Sequence, residues 1–413
     1  MTGYLTLLRQ PRVAAFFGNQ LLAAFGDGLL GVFATIVALR HTSDPAVLGL
    51  AAFFVAFPRG VFGLVGGVIA DAMDRRSLLI TCDLIRAACL LALVFMAWSV
   101  ELSLWAMLLP AALAATTFGA SKPASKAMIP SLAAQKHLLQ TNSLVHGFQW
   151  PSYFLGAGVM GGIFAATDSI AVSAFAVATV FLVAALSLVA LPAAPAVNPD
   201  LKLGRVLPDL RDSARALQAH RLLFLRVTSY FGYTAAWRGI IYVVLPLALV
   251  EIFALPSEMF GALMLASGAA ELIAALWLGH RQDSVGTLTV AFVAEAVLAA
   301  AAAVILLYAV LPLPPLAVAI LAAVLVGVSA AVADIPIITA IQTSLADAHR
   351  GRTFSLWNAV GALGGSVGAL LTGALLHVCG LTPGLFVICF GLLGVSLWMR
   401  SLQPSAHDTG CPS

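Results

Sequence analysis

Residues 14–39, AAFFGNQLLAAFGDGLLGVFATIVAL, hold one acid and otherwise little that water must solvate. About 20 apolar residues at helical rise cross the hydrocarbon of a bilayer. Inside it, each backbone N–H and C=O must be bonded within the segment, as a helix does. Eleven more runs of this kind follow, at about 47–70, 77–98, 103–122, 143–166, 169–191, 222–249, 258–279, 287–311, 316–340, 353–376 and 383–400. The pattern predicts an all-α membrane protein with 12 transmembrane helices in two six-helix bundles. Only 9% of the 413 residues are charged, against about 25% in soluble domains.

Most connections are short, so consecutive helices should be antiparallel neighbours. The exception, PAAPAVNPDLKLGRVLPDLRDSARALQAHR at 192–221, is Pro-rich and then charged. It divides the chain into an N-terminal six-helix bundle (1–191), a cytoplasmic linker (192–221) and a C-terminal six-helix bundle with a short tail (222–413). Basic residues predict the orientation. With the N-terminus cytoplasmic, fifteen Lys and Arg residues fall on cytoplasmic segments and only Arg40 falls outside. Both termini are therefore expected in the cytoplasm, in a bacterial inner membrane. The opening MTGYLTLLRQPRVAAFF has no small-residue cleavage site behind a short apolar core, and reads as a tail before a retained first span.

The halves resemble each other. IPSLAAQKHLLQTNSL (129–144) is similar to QTSLADAHRGRTFSL (342–356), and Gly67-x-x-x-Asp71 returns as Gly279-x-x-x-Asp283 at an offset of 212 residues. A duplicated six-helix unit is a transporter architecture, with substrate bound between the repeats near mid-bilayer.

A charge at the centre of a span costs roughly 2.5–3.5 kcal/mol to insert, so each one implies a counter-charge or a wet cavity. Asp27, Arg59, Arg238, Glu271, Glu295 and Asp334 lie well inside spans, and Lys122 at the end of one. At the repeat offset Arg59 falls on Glu271, Lys122 on Asp334 and Asp83 on Glu295; Asp27 falls on Arg238 at 211. The expectation is one polar centre in which Asp27, Arg59, Arg238 and Glu271 compensate one another. Asp27, Glu271 and Asp334 are then the proton-carrying candidates, while Arg238 and Arg59 hold substrate. The competing reading is two static pairs, Asp27–Arg59 and Arg238–Glu271, that fix helix packing. Tyr230, Tyr233 and Trp237 share a face of the seventh span. With Gln149 on the fifth, they are the remaining candidate substrate contacts, since aromatics beside a cation suit an amphiphilic ligand. A packing stripe has the same spacing.

The stretch GGVIADAMDRRSLLITCDLIRA (66–87) carries Gly67, Asp71, Arg75 and Arg76, followed by Asp83 and Arg86. In this it resembles the major facilitator superfamily. Segments 122–144 and 342–356 resemble that family's drug-efflux branch, which includes macrolide and enterobactin exporters. The resemblance covers nearly the whole chain. It implies that spans one, four, seven and ten line the central cavity, placing Asp27, Lys122, Arg238 and Asp334 near substrate. It also implies that Gly67, Asp71, Arg75 and Arg76 form a cytoplasmic gate, an acid at a helix end taking donors from a facing helix and pairing with arginines. The competing reading gives Arg75 and Arg76 a topological role only. The signature departs from the family at Ala72, usually basic, and at Asp74, usually glycine. The fifth-span antiporter motif, ordinarily Gly-Pro-x-x-Gly-Gly, is here Ala157-Gly158-x-x-Gly161-Gly162. Gly158, Gly161 and Gly162 keep surfaces for close helix packing, but the missing proline weakens the implication of antiport.

The eight histidines lie mostly in loops or at span ends without metal-ligand spacing. No Walker lysine, Gly-x-Ser-x-Gly or phosphate-binding glycine loop is present. No enzyme, ATP-driven pump, metal site or nucleic-acid partner is expected. The expected activity is secondary transport: export of an amphiphilic small molecule, such as a drug, secondary metabolite or siderophore, in exchange for protons. No cofactor is expected beyond the proton gradient. The partners are the small-molecule substrate and the lipid bilayer, with the protein a monomer. A uniporter or importer, or a lysolipid flippase, would share these features.

Overall fold

Prolines and short polar caps mark where helices start. Pro11 and Pro45 each open a helix, at first-turn positions whose N–H a helix would leave unbonded anyway. Asp44 caps the second of these, its carboxylate accepting the Ala46 N–H at 2.8 Å. Ser103 and Ser169 cap two later helices similarly. Gly380, at φ +83°, turns the chain between two helices over a single residue.

This computed structural model describes residues 8–99, 102–132, 138–194, 221–280, 289–308, 311, 313–344 and 347–401, with scattered positions between 204 and 218. Within these ranges the surroundings of some residues, Gly67 and Asp71 among them, lie outside the description. Twelve rods result. They are α1 (Pro11–His41), α2 (Pro45–Ala72), α3 (Arg75–Ser99), α4 (Leu104–Thr116, continued as Phe118–Leu132), α5 (Leu138–Thr167) and α6 (Ile170–Val189). The second half comprises α7 (Arg221–Gly239, continued to Ile252), α8 (Met259–His280), α9 (Thr289–Tyr308), α10 (Pro315–Ser344), α11 (Asp347–Cys379) and α12 (Leu381–Ser401). The continuation of α7 is wound as a π-helix over Ile240–Val244 and Ala248–Ile252.

Among the described residues, ten helical stretches are long and apolar enough to cross a membrane, and α9 adds a shorter one, Val293–Tyr308. The remaining rod, α5, packs between α1 and α8. Polar residues such as Gln149 interrupt its apolar run, which is why it reads less clearly by composition.

Helix contacts repeat between the halves. In the first, α1 packs on α5, α2 on α4 and α3 on α6; in the second, α7 packs on α11, α8 on α10 and α9 on α12. The halves meet along α2–α11 and α5–α8, which the repeat makes equivalent. Each half has a buried cluster toward the linker: Phe16, Leu79, Met128 and Leu188 in one, Val227, Ile341 and Trp357 in the other.

At the opposite end, here called the far end, backbone meets backbone across both seams. A Cβ on Gly49 would lie 2.6 Å from the Ala369 oxygen, and one on Gly373 2.4 Å from the Pro45 oxygen. On the other seam, a Cβ on Gly161 would lie 2.4 Å from the Glu258 oxygen and one on Gly261 2.7 Å from that of Ala157. Charges tie the same end. Arg40, ending α1, pairs with Asp168 at 2.6 Å and with Glu258 of the second half. His377 sits 2.9 Å from the Asp44 carboxylate. Toward the linker, Gly63 and Gly147 have nothing within 4 Å of where a Cβ would sit. The far end is closed. Gly158 also packs, against Leu265 at 3.3 Å, but Gly162 faces open space, so the expected packing role reduces to Gly158 and Gly161.

Candidate functional site

Asp27 is placed by a close crossing of α1 and α5. Its neighbour Gly28 lies so near that a Cβ would come 1.9 Å from the Tyr153 oxygen. Asp27 itself is 4% exposed. It lines a pocket within the first half with Asn19, Asp83, Arg86, Ser121 and Lys122.

The pocket is densely bonded around Arg86, which is 1% exposed. Arg86 pairs with Asp83 at 3.2 Å and donates to Thr117 at 2.6 Å and Ser121 at 2.9 Å. Its guanidinium lies 5.0 Å from the Phe181 ring centre. The second oxygen of Asp83 accepts from Asn19 at 3.1 Å, and Asn19 also donates to the Ala184 carbonyl. Amides extend the chain outward: Gln149 donates to Gln20 at 3.2 Å, and Gln20 to Asn19 at 2.9 Å. Asp27 takes no share of this network. Among the described residues no hydrogen bond or ion pair reaches its carboxylate, although it shares the pocket with Asp83, Arg86 and Lys122.

The second half gathers acids on α8 and α10. Tyr230 donates to Asp334 at 2.6 Å, and Asp334 lies near Glu271. Tyr233 bonds Ser329 at 3.1 Å, and the Trp237 indole donates to the Val326 carbonyl at 3.2 Å. The shared face of Tyr230, Tyr233 and Trp237 is therefore spent on α10. On α9, Glu295 is 3% exposed and lies near Arg226 of α7, but no ion pair joins them: Glu295 Oε2 and Arg226 Nε and Nη2 are buried without a hydrogen bond.

Between the halves lies a third space, partly open to its surroundings, with a cavity volume of about 30 Å³. Arg59 of α2 and Arg238 of α7 both line it, together with Thr35, Val55, Tyr153 and Tyr242. The Tyr153 and Tyr242 hydroxyls bond each other at 2.8 Å across the halves.

The expected four-residue polar centre is thus divided. Neither Asp27–Arg59 nor Arg238–Glu271 forms an ion pair. Arg59 and Arg238 share the central cavity, Asp27 faces Arg86 and Lys122, and Glu271 sits with Asp334. The physical reason is helical rotation: a charge at the right depth on a neighbouring helix still points wherever its own 100° phase directs it. Gln149 joins an amide relay, and Tyr153 and Tyr242 are the aromatics of the cavity. Asn19 and Gln20, absent from the sequence-based candidates, were visible as adjacent amides in an apolar span.

At the linker end, Arg75 donates to the Ala127 carbonyl at 2.9 Å, and Arg76 to the carbonyls of Leu188 and Val189. Arg76 caps the end of α6, where a helix C-terminus favours a cation, while Arg75 ties α3 to the last turns of α4. Asp74, the departure from the family signature, accepts from the Ser77 and Ala194 N–H groups at 2.8 and 2.6 Å. Gly67 and Asp71, the other members of the expected gate, lie outside the described residues.

The family pattern of the Major Facilitator Superfamily matches residues 16–237 and again 222–410. The chain is 27% identical over 380 residues to the enterobactin exporter EntS of Escherichia coli O1:K1 / APEC, covering 90% of this chain and 87% of that one. It is 25% identical over 143 residues to macrolide efflux protein A of Streptococcus pyogenes, a match spanning only 35% of either chain. Among solved structures it resembles a D-xylose–proton symporter, at TM-score 0.73 and 13% identity, covering 96% of this chain and 98% of that one. It also resembles a bacterial homolog of the human lysosomal transporter Spinster in an inward-facing, unoccupied conformation, at TM-score 0.70 and 12% identity, covering 95% and 96%. At these identities the structural likeness is one of fold. With both halves matching one family and packing by one repeated plan, the chain belongs to the Major Facilitator Superfamily of multi-pass membrane transporters.

Proposed function

We propose that this transporter exports an amphiphilic small molecule in exchange for protons, by alternating access, with its linker end in the cytoplasm. The observation that carries the reading is Asp27: a buried carboxylate with no hydrogen bond among the described residues, in a polar pocket facing Arg86 and Lys122. A carboxylate that only fixed packing would use its acceptors, as Asp83 does. One that exchanges a proton needs a position reached by water and a neighbouring cation whose influence changes during the cycle. Similarity to an exporter over 90% of the chain supports the direction. The closed far end fits a state that loads from the linker side.

The test uses purified protein in inside-out proteoliposomes, with erythromycin and a catecholate siderophore as probes, chosen from the relatives. Accumulation of at least one probe when the lumen is acid, and not without the gradient, is expected. Asp27→Asn should insert and fold normally but lose that accumulation. Full pH-driven uptake by Asp27→Asn would refute the role of Asp27, and gradient-independent equilibration would favour a uniporter.

A further inference from the structure

We infer that the cavity between the halves binds an oxyanion, held jointly by Arg59 and Arg238, so that the cargo is an amphiphilic organic anion carrying a carboxylate or phosphate head. This rests on the reading of the chain as an exporter whose cargo crosses between the bundles.

Four observations converge. The lining holds two guanidiniums and no carboxylate. Arg59 keeps Nε and Nη2 buried without a hydrogen bond, its nearest ring being Phe118 at 5.1 Å. Among the described residues, no ion pair or hydrogen bond occupies Arg238 either. Its guanidinium lies 5.5 Å from the Tyr242 ring centre, and its Nε is packed against Gly365, where a Cβ would come within 2.7 Å. Finally, the Tyr153–Tyr242 hydroxyl bond uses one O–H hydrogen of two, leaving the other free to donate.

The chemistry follows from that inventory. Arginine cannot shed its charge, and two of them lining one cavity repel unless an anion lies between. The unspent polar hydrogens all come from donors: guanidinium N–H and phenol O–H. The Thr35 hydroxyl already donates to the Gly31 carbonyl at 3.0 Å. A ligand group must therefore accept several hydrogen bonds and carry negative charge, which carboxylate and phosphate oxygens do in the planar, forked geometry arginine favours. The wall formed by Ala34, Ala51, Ala52 and Val55 suits an apolar body attached to that head. A cationic or neutral drug would leave both arginines unpaired.

Position gives the clamp a second consequence. Arg59 belongs to the first half and Arg238 to the second, so one bound anion joins the halves. Tyr153, which lines the cavity with both arginines, already bonds Tyr242 across the same seam.

Binding to the full chain in lipid nanodiscs tests this, using 1-naphthoate, 1-naphthyl phosphate, the neutral 1-naphthamide and the cation 1-naphthylmethylammonium. The two anions should bind, and the amide and cation roughly tenfold or more weakly. Arg59→Gln and Arg238→Gln should each weaken anion binding roughly 10- to 100-fold. The double variant should lose less than the product of the two, because both arginines hold one head group. Arg59→Lys and Arg238→Lys should recover part of the loss, which a purely structural role would not predict. Preference for the cation, failure of both anions to bind, or unchanged anion affinity in both glutamine variants overturns the inference. Anion binding is read without a proton gradient, so it stands or falls separately from the proton coupling of Asp27.

Discussion

Gly49→Ala adds one methyl group where α2 and α11 touch, and the structure fixes what that methyl meets. It would lie 2.6 Å from the Ala369 carbonyl oxygen and 2.9 Å from the Gly373 Cα, both backbone atoms that cannot rotate aside. Overpacking of this kind costs about 1–3 kcal/mol. The cost falls only on the state in which the far-end seams are closed, because alternating access separates those surfaces. The gain in helix propensity from Gly to Ala applies to both states and cancels. At about 1.4 kcal/mol per tenfold, the closed-to-open ratio at the far end should fall roughly 5- to 150-fold. The assay is spin-label distance measurement in nanodiscs, with labels on Ser43→Cys and Pro256→Cys and the five native cysteines replaced by serine. These positions lie on far-end loops of opposite halves. Gly162→Ala, whose methyl meets nothing within 4 Å, is the matched control. A long-distance population should appear with Gly49→Ala and be absent with Gly162→Ala. Identical distributions for the two variants would refute the claim that this seam governs far-end closure.

Other consequences concern stability and pH. Gly28→Ala places a methyl 1.9 Å from the Tyr153 oxygen inside one half, so it should lower the melting temperature without changing the far-end distances. Arg86→Met strands the Asp83 carboxylate in a buried pocket and should destabilise the protein by about 3–5 kcal/mol. The double variant Arg86→Met/Asp83→Asn should recover much of that, by calorimetry in detergent. Acidification should loosen the far end. The Ala46 N–H, outweighing a small burial effect, and His377 hold Asp44 below its ordinary 3.8. Burial pushes Glu258 up, but Arg40 and local hydrogen bonds outweigh it and leave Glu258 below 4.5. The part of each depression that comes from the opposite half, His377 on Asp44 and Arg40 on Glu258, favours closure above the carboxyl's ordinary value and is lost as pH falls through the depressed one. The labelled pair should therefore show more of the long distance at pH 3–4 than at pH 7, and Glu258→Gln should blunt the change.

Hydrophobic run lengths alone determined that this chain is a helical membrane protein, since lipid offers the backbone no other partner. The 212-residue offset likewise disclosed two related bundles, and among the described helices the packing plan recurs from one half to the other. The membrane charges were legible as a set because insertion makes each one costly. Their partners were not. Asp27 and Arg59 lie on adjacent spans, yet Asp27 looks toward Arg86 and Arg59 toward Arg238, because a helix face is set by rotation and crossing angle, which sequence separation does not encode. The same holds for Tyr230 and Trp237, whose shared face is real but turns to α10. Backbone contacts such as Gly49 on Ala369 depend on two distant segments reaching one depth together. Only the tertiary structure decides which glycines touch and which face open space.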